Sequence, residues 1–370
     1  MRLVLIVDDL LGGGAGRAAS TLCNTWAEKG WSIWMLTSDD GSVPPAYKLH
    51  PKIINLPLAL YTNSTSAVNG LLNNVRRVRA VRKALRHSMP DLIISFLDRW
   101  NIITLAASIG LGVPVLVQEH CDPNERALGG TWELLRYLLY PRASFVVTLT
   151  PTAMRFFSLR PKIRGRVIPN PVVVPPNEYV HPSSNIIGKD YRKIVSLGRL
   201  HEVKSFDKLL SAFAFIANKH PDWSLEIWGD GPERPQLTSL IVEMNLEGRV
   251  SLPGVTRNPF ACLTGADLFV MTSKTEGFPM ALCEAMACGV PVISFDCPSG
   301  PRHIVRDGVD GVLVPPGDIN ALAIAMDRLM SDEAERCRLA NRAPDVLERF
   351  SLEKVVGMWE ELIRQADEYR

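Results

Sequence analysis

Cysteine is scarce and unordered: seven in 370 residues, odd in number, scattered from Cys23 to Cys337, with no Cys-x-x-Cys pair. Neither a disulfide framework nor a thiolate zinc site is indicated, and a reducing cytoplasm fits best. Long apolar runs are lacking too. The opening MRLVLIVDDLL is interrupted by Asp8 and Asp9 far short of a bilayer's thickness. It reads as a buried strand rather than a signal peptide, and any membrane contact is expected to be peripheral. There is no excess of one charge either: 41 Lys and Arg against 39 Asp and Glu leave +2, which argues against a dedicated nucleic-acid binder. Repeats and low-complexity tracts are absent.

The near-neutral total hides an asymmetry. Residues 1–180 carry 20 Lys and Arg against 12 Asp and Glu, a net +8, and the remainder carries 21 against 27, a net −6. A basic first half is suited to meeting something anionic.

Short apolar runs alternate with longer amphipathic segments along the whole chain. Runs at 3–7, 32–36, 92–96, 113–117 and 145–149 are almost continuously apolar, as strands covered on both faces must be. Helical periods occupy 15–29 and 70–87 between them. The pattern restarts with runs at 194–197, 225–228, 250–252, 268–271, 290–294 and 311–314. Between the two series, residues 168–190 hold five prolines and no helical period. The fold class expected is α/β, with two Rossmann-like, doubly wound parallel-sheet domains facing across a cleft. The domains are placed at 1–172 and 191–350, with a linker at 173–190. A last helical segment, 351–370, has either domain to pack on, and a return to the first is expected.

Four segments carry candidate chemistry. The first is SKTEGFPMALCEAMACGVPV, residues 273–292, which follows a strand and opens a helix near Pro279, a residue favoured at a first helical position. Free amides there, around Met280 and Ala281, form an anion site. Glu276 precedes the helix and Glu284 lies inside it. Two such carboxylates beside an anion site suit paired hydrogen bonds from vicinal hydroxyls of a sugar or ribose. The bland reading makes them a helix-start carboxylate and a solvated helix face. The second segment is SLGRLHEVK, residues 196–204, where Arg199 and Lys204 leave a strand end and are placed to neutralise a diphosphate.

The third is the loop GGGAGR at 12–17, where glycines before a helix admit a phosphate or sugar to the backbone. Residues 14–19 also fit a Gly-x-Gly-x-x-Ala dinucleotide fingerprint, with Asp39 or Asp40 at a fitting distance. Against that, residues 8–11 separate the first strand from the glycines. The fourth is Gln118-Glu119-His120 at the end of a strand. The His120 imidazole is placed to hydrogen-bond a sugar hydroxyl or the acceptor, Glu119 is an equal acceptor candidate, and Asp98 and Asn101 are expected on the same wall. A separate basic stripe, Arg76, Arg79, Lys83 and Arg86 opposite Leu72, Val75, Val78 and Leu85, suits either an anionic bilayer or plain solvent.

The Glu-x7-Glu segment with its Gly-Phe-Pro and Gly-Val-Pro-Val resembles retaining glycosyltransferase family 4, which has the GT-B fold, over essentially the whole chain. The resemblance is to its bacterial polysaccharide-type members. It implies that Glu276 contacts the donor sugar and Glu284 the ribose, with the backbone at Phe278, Met280 and Ala281 facing sugar and diphosphate. It further implies that Arg199 and Lys204 bind the pyrophosphate, that Gly13, Gly14 and Arg17 border the transferred sugar, and that His120 lines the reaction centre. Glu276 and His120 are the catalytic candidates.

By the resemblance, the reaction is retaining hexosyl or N-acetylhexosaminyl transfer from a nucleotide diphosphate sugar, most simply a UDP-sugar. The expected acceptor is a lipid-linked glycan at the cytoplasmic membrane face. No cofactor is expected, and no metal, because no aspartate pair has the Asp-x-Asp spacing that manganese-dependent enzymes use. Alternatives are a sugar-nucleotide epimerase of the same fold and an NAD(P)-dependent oxidoreductase.

Overall fold

The computed structural model describes residues 1–61, 67–160, 162–176 and 192–368. The apolar runs become parallel strands because Val, Ile, Leu and Phe at consecutive positions leave no face for water. Leu3–Ile6 and Leu92–Phe96 are both buried throughout. In chain order the first unit contains β1 (Arg2–Ile6), α1 (Gly13–Glu28), β2 (Ser32–Thr37), β3 (Ile54–Pro57), α2 (Ala67–Ser88), β4 (Leu92–Phe96), α3 (Asp98–Ser108) and β5 (Val115–Glu119). It continues with α4 (Gly130–Leu139), β6 (Phe145–Thr148), α5 (Pro151–Ser158) and β7 (Gly165–Val167). The sheet runs β3-β2-β1-β4-β5-β6-β7. Strand order reverses between β1 and β4, so ligands of such a sheet bind beyond the carboxyl ends there.

The second unit repeats the plan. Its strands are β8 (Arg192–Leu197), β9 (Trp223–Trp228), β10 (Val250–Gly254), β11 (Leu268–Met271), β12 (Val292–Phe295) and β13 (Val312–Val314). Their order is β10-β9-β8-β11-β12-β13, all parallel, with the reversal between β8 and β11. The helices are α6 (Phe206–Ile216), α7 (Arg234–Glu243), α8 (Pro259–Thr264), α9 (Met280–Ala287), α10 (Ile319–Ser331), α11 (Glu333–Arg342) and α12 (Asp345–Phe350). The two-sheet α/β architecture expected from the alternation is the one observed.

The compact units are Met1–Pro171 with Glu353–Arg370, and Val172–Leu352. Each has its own core, one around Ile6, Ile93, Val117 and Phe157 and the other around Ile194, Phe213, Leu225 and Val270. The last helix, α13 (Leu352–Glu368), contributes Trp359, which is fully buried edge-on to Trp26 at 6.5 Å and against Phe96 at 6.2 Å. A side chain so placed is worth about 3–5 kcal/mol to the unit. Of the expected linker at 173–190, residues 177–190 lie outside the described residues.

Two sequence expectations need correction. The strand expected at 113–117 runs Val115–Glu119, which draws Gln118 and Glu119 into the sheet, opposite Val147 and Thr148. On α2, the buried face is Val81, Ala84 and Leu85, whereas Leu72 and Val75 are 61% and 40% exposed. The four cations Arg76, Arg79, Lys83 and Arg86 are exposed, as their stripe implied.

Candidate active site

Parallel pairing of β8 with β11 sets Val195 beside Phe269, so the loops leaving the two strands emerge side by side at the reversal point of the second sheet. The loop after β8 is held by its neighbour from β9. Gly198 N donates to Trp228 O at 3.0 Å and Leu200 N to Asp230 O at 3.0 Å. Gly229 has φ +142°, and a Cβ there would fall 1.9 Å from Gly198 O, so only glycine allows this backbone-to-backbone approach.

A short 3-10 turn, Glu202–Lys204, follows, and Ser205 in the left-handed region starts α6. The turn is stitched to the loop after β11. Lys274 N donates to Val203 O at 2.8 Å, and Thr272 Oγ1 donates to Lys204 O at 2.9 Å. Those ties deliver Lys204 Nζ to 2.5 Å from Glu276 Oε1, and Ser273 Oγ donates to the same oxygen at 2.6 Å. The pair is half-buried, with side chains 24% and 13% exposed. Among the described residues, Glu276 Oε2 has no recorded hydrogen bond, and Arg199 stands exposed with no hydrogen bond or ion pair. One carboxylate oxygen and one guanidinium are therefore open to a ligand.

Helix α9 begins beside them. Pro279 is its N-cap, one place earlier than expected, and supplies no side-chain cap, so the amides of Met280, Ala281 and Leu282 have no partner within the helix. They give the helix start an anion-binding character. Phe278 anchors the approach, edge-on to Phe350 at 5.2 Å. Glu284, on the next turn, is 4% exposed, so it does not lie on a solvated helix face.

The segment 297–301 braces this arrangement. Glu276 and Ser299 form an isolated parallel bridge, and Ser299 is buried at φ +76°, a strained conformation for serine. Gly300 packs so closely that a Cβ would lie 3.0 Å from Glu276 Cβ and 2.8 Å from Pro279 Cδ. Burial, then the nearby Glu276 carboxylate, pushes the Cys297 thiol up to about 12, leaving it inert. Ser273, Ser299 and Gly300 were not singled out as site residues. The Ser-x-x-Glu spacing and the Cys-Pro-Ser-Gly-Pro turn were visible, but their convergence on Glu276 was not.

In the first unit, α1 starts at Gly13, whose φ of +78° favours glycine, and open space surrounds the positions where Gly12 and Gly13 would carry a Cβ. Gly16 is the packed one, with a Cβ there meeting Asp9 O at 3.0 Å. The glycine turn thus presents exposed backbone at Gly13 and a half-buried Gly14. Arg17 lies 5.9 Å from the Tyr47 ring, and the Tyr47 hydroxyl donates to Gly13 O at 3.3 Å. Asp8 accepts from Ser38 and Trp100, and Asp9 from Leu11 N and Tyr61, so these carboxylates build the loop.

His120 stands just past β5 with its ring 4.6 Å from that of Phe96. Burial pushes its imidazole down to about 3, so it is neutral near pH 7, and Nε2 has no partner among the described residues. An imidazole that burial keeps from taking up a proton still orients a hydroxyl but is a poor proton acceptor.

Glu119 and Asn101 are not on a wall. Glu119 is 2% exposed, accepts the Tyr140 hydroxyl, and has Arg136 Nε at 3.6 Å. Burial, offset by Arg136 and Tyr140, pushes its carboxyl up to about 7. Asn101 is fully buried and donates from Nδ2 to Gln118 O at 2.9 Å and to Tyr140 Oη at 3.3 Å. The two-residue displacement of β5 explains this: Glu119 is the last residue of the strand rather than part of the loop. Asp98, half-buried, accepts Arg99 N at the start of α3. Among the described residues, no three His, Cys, Asp or Glu side chains gather as metal ligands.

Two family descriptions match this chain: "Glycosyl transferases group 1" over residues 180–346 and "Glycosyl transferase 4-like domain" over residues 13–171. The GalNAc-alpha-(1->4)-GalNAc-alpha-(1->3)-diNAcBac-PP-undecaprenol alpha-1,4-N-acetyl-D-galactosaminyltransferase of Campylobacter jejuni is 28% identical over 371 residues, 99% of each chain. An exopolysaccharide phosphotransferase of Streptomyces coelicolor is 32% identical over 316 residues, 85% of this chain but 32% of that protein, so this chain spans about a third of its length. Among solved structures, sucrose-phosphate synthase from Thermosynechococcus elongatus superposes with a TM-score of 0.86 at 21% identity, covering 100% of both chains. The Anabaena protein HepE in complex with UDP-glucose superposes with a TM-score of 0.81 at 20% identity, covering 98% of this chain and 99% of that one. At those identities the structural likeness speaks for the fold, which is GT-B. The chain belongs to the GT4-type bacterial glycosyltransferases, with a function in polysaccharide or glycoconjugate biosynthesis.

Proposed function

We propose that this glycosyltransferase moves a hexosyl or N-acetylhexosaminyl unit from a UDP-sugar to a lipid-linked or glycan acceptor, with retention at the anomeric carbon and without a metal. The observation that carries this reading is the Lys204–Glu276 pair, 2.5 Å apart beside the open start of α9 and the exposed Arg199, which has no partner among the described residues. Two cations and a helix start suit a diphosphate, and a carboxylate with a free oxygen suits a sugar hydroxyl. Lys204 has three donor hydrogens, so it can keep Glu276 and still meet a phosphate. The Anabaena neighbour's UDP-glucose and the Campylobacter relative's PP-undecaprenol support the choice of donor and acceptor.

In the proposed step, the bond from the anomeric carbon to the diphosphate oxygen breaks as the bond to the acceptor oxygen forms on the same face. The acceptor proton passes to the departing phosphate oxygen. His120, neutral at the working pH, orients a hydroxyl and takes no proton. Arg199, Lys204 and the amides of Met280 and Ala281 meet the charge that grows on the leaving group, where loss of one contact costs about 100–1,000-fold. Glu276 orients the sugar, and Glu284 takes the ribose hydroxyls. Gly13, Gly14 and Arg17 border the transferred sugar. No described helix is long and apolar enough to cross a membrane. The exposed cations of α2, Arg76, Arg79, Lys83 and Arg86, suit contact with the cytoplasmic membrane face where a lipid-linked acceptor resides.

The test is transfer by Glu276→Ala, Arg199→Ala and Lys204→Ala, each expected to fall about 100-fold or more with circular dichroism unchanged. Full activity in all three would sink the assignment. Turnover is expected to survive EDTA, and loss with rescue by manganese would overturn the metal-free step.

A further inference from the structure

A file of aromatic rings crosses the first unit and ends on His120. Trp31 stacks on Trp26 with ring centres 5.4 Å apart and planes 6° from parallel. Trp26 meets Trp359 edge-on at 6.5 Å, Trp359 lies 6.2 Å from Phe96, and Phe96 lies 4.6 Å from the His120 ring. Trp26, Trp359 and Phe96 are each fully buried. Two features of the fold build the file. Helix α13 sets Val355, Val356, Trp359, Leu362, Ile363 and Ala366 on its buried face at helical spacing. Phe96, the last residue of β4, pairs with Gln118, two residues before His120.

The main chain at His120 and its ring are held by different means. The end of β5 is pinned by polar contacts: Asn101 Nδ2 donates to Gln118 O at 2.9 Å, Gln118 Nε2 donates to Ile168 O at 3.2 Å, and Glu119 accepts the Tyr140 hydroxyl. The ring has no such tie at Nε2, which is buried without a hydrogen-bond partner among the described residues. A packed histidine ordinarily has its ring direction set by a hydrogen bond at one nitrogen. On this side of the ring, contact with Phe96 takes that place, at a tilt of 48°. Phe96 is confined in turn by Trp359, since in a close-packed interior a ring that turned would need space its neighbour fills. The indoles are a costly choice for packing alone. Nε1 of Trp26 and Nε1 of Trp359 are both buried without a hydrogen-bond partner among the described residues. Phenylalanine fills a core without leaving an N–H unpaired, so the larger rings point to a role in holding what they touch.

We propose that Trp359 is a positioning residue for glycosyl transfer: acting through Phe96, it fixes the direction of the His120 ring. The last helix of the chain then serves the reaction centre as well as the core. The inference rests on the proposed role of His120 in orienting a hydroxyl, but its first measurement needs neither donor nor acceptor.

That measurement is NMR of the full chain with carbon-13-labelled histidine, the His120 ring signals being identified by their loss in His120→Asn. With Phe96 4.6 Å away, ring current is expected to displace them from free-imidazole positions. In Trp359→Phe, which loosens Phe96 without emptying the site, they are expected to shift back and broaden. The second measurement is a double-mutant cycle in kcat. Trp359→Phe and Phe96→Leu are each expected to lower kcat about tenfold with donor KM little changed, and neither to lower it further in a His120→Asn background. Leu85→Ala, a buried core change on α2, is expected to lower the melting temperature and leave kcat unchanged. Equal losses in the wild-type and His120→Asn backgrounds overturn the proposal, and so does a His120 signal that Trp359→Phe leaves in place. If His120→Asn keeps full kcat while its parent signal still follows Trp359→Phe, the positioning contact stands and the role given to His120 falls.

Discussion

Replacing Gly300 by alanine isolates how tightly Glu276 must be held. Gly300 has φ −83°, which alanine adopts freely, so the added methyl acts by sterics alone. It would lie 2.8 Å from Pro279 Cδ, 3.0 Å from Glu276 Cβ and 3.1 Å from Glu276 O. Ordinary contact begins near 3.4 Å, so something must move by about 0.3–0.6 Å. Two of the three atoms belong to Glu276 and the third to the N-cap of α9, so the movement enters the site whichever way it is relieved. Functional groups need placement within about 0.5 Å, and a displacement of about 1 Å costs about 100-fold. A fall of about 10–100-fold in kcat follows. Overpacking of this kind costs about 1–3 kcal/mol, which leaves the unit folded. The control is Gly265→Ala, where nothing lies within 4 Å of the new methyl. The assay compares kcat and donor KM for both variants with their melting temperatures. Gly300→Ala should lose more in kcat than it gains in KM, and Gly265→Ala should match wild type. A melting-temperature drop with unchanged kcat would show that the 297–301 segment is merely structural, and the reasoning would fail.

Two further outcomes concern stability. The Glu119 carboxyl is raised from 4.5 to about 7, so its contribution is full below pH 4.5 and is lost as pH rises toward 7. The His120 imidazole is lowered from 6.5 to about 3, so its contribution is full above pH 6.5 and is lost as pH falls toward 3. The two slopes oppose each other between pH 4.5 and 6.5, and Glu119→Gln should unmask a stability that only rises across that window, by at most about 3 kcal/mol. Urea unfolding at several pH values reads this, and a profile unchanged from wild type counts against it. Separately, Asp310 is fully buried and accepts from Arg306 N and Nε, both at 2.7 Å, and from Arg349 at 3.0 Å. Asp310→Ala should cost about 3 kcal/mol, read as a lower melting temperature of the second unit. A change within about 0.5 kcal/mol would show the partners to be adequately solvated without it.

Much of the fold was legible in the sequence because a strand buried on both faces leaves a nearly unbroken apolar run, and the pattern appears twice. The edge strands β3, INLP, and β7, GRV, escaped because an outer strand is half in water and its composition looks like a loop. The chemistry-bearing types were also readable: a Glu-x7-Glu pair at a strand-to-helix junction and cations at another strand's end. Three things were decided only by tertiary structure. Lys204 and Glu276 are 72 positions apart and meet because β8 and β11 pair in parallel. The fate of Glu119 turned on where β5 ends, since two residues of strand separate a loop carboxylate from a buried one. The buried face of α2 was also undetermined, because an amphipathic period shows that a helix has two faces but not how far along it neighbouring elements reach, and Val81, Ala84 and Leu85 are covered while Leu72 and Val75 are not. Local periodicity reports what a segment can bury, and only the contacts between distant segments decide what it does bury.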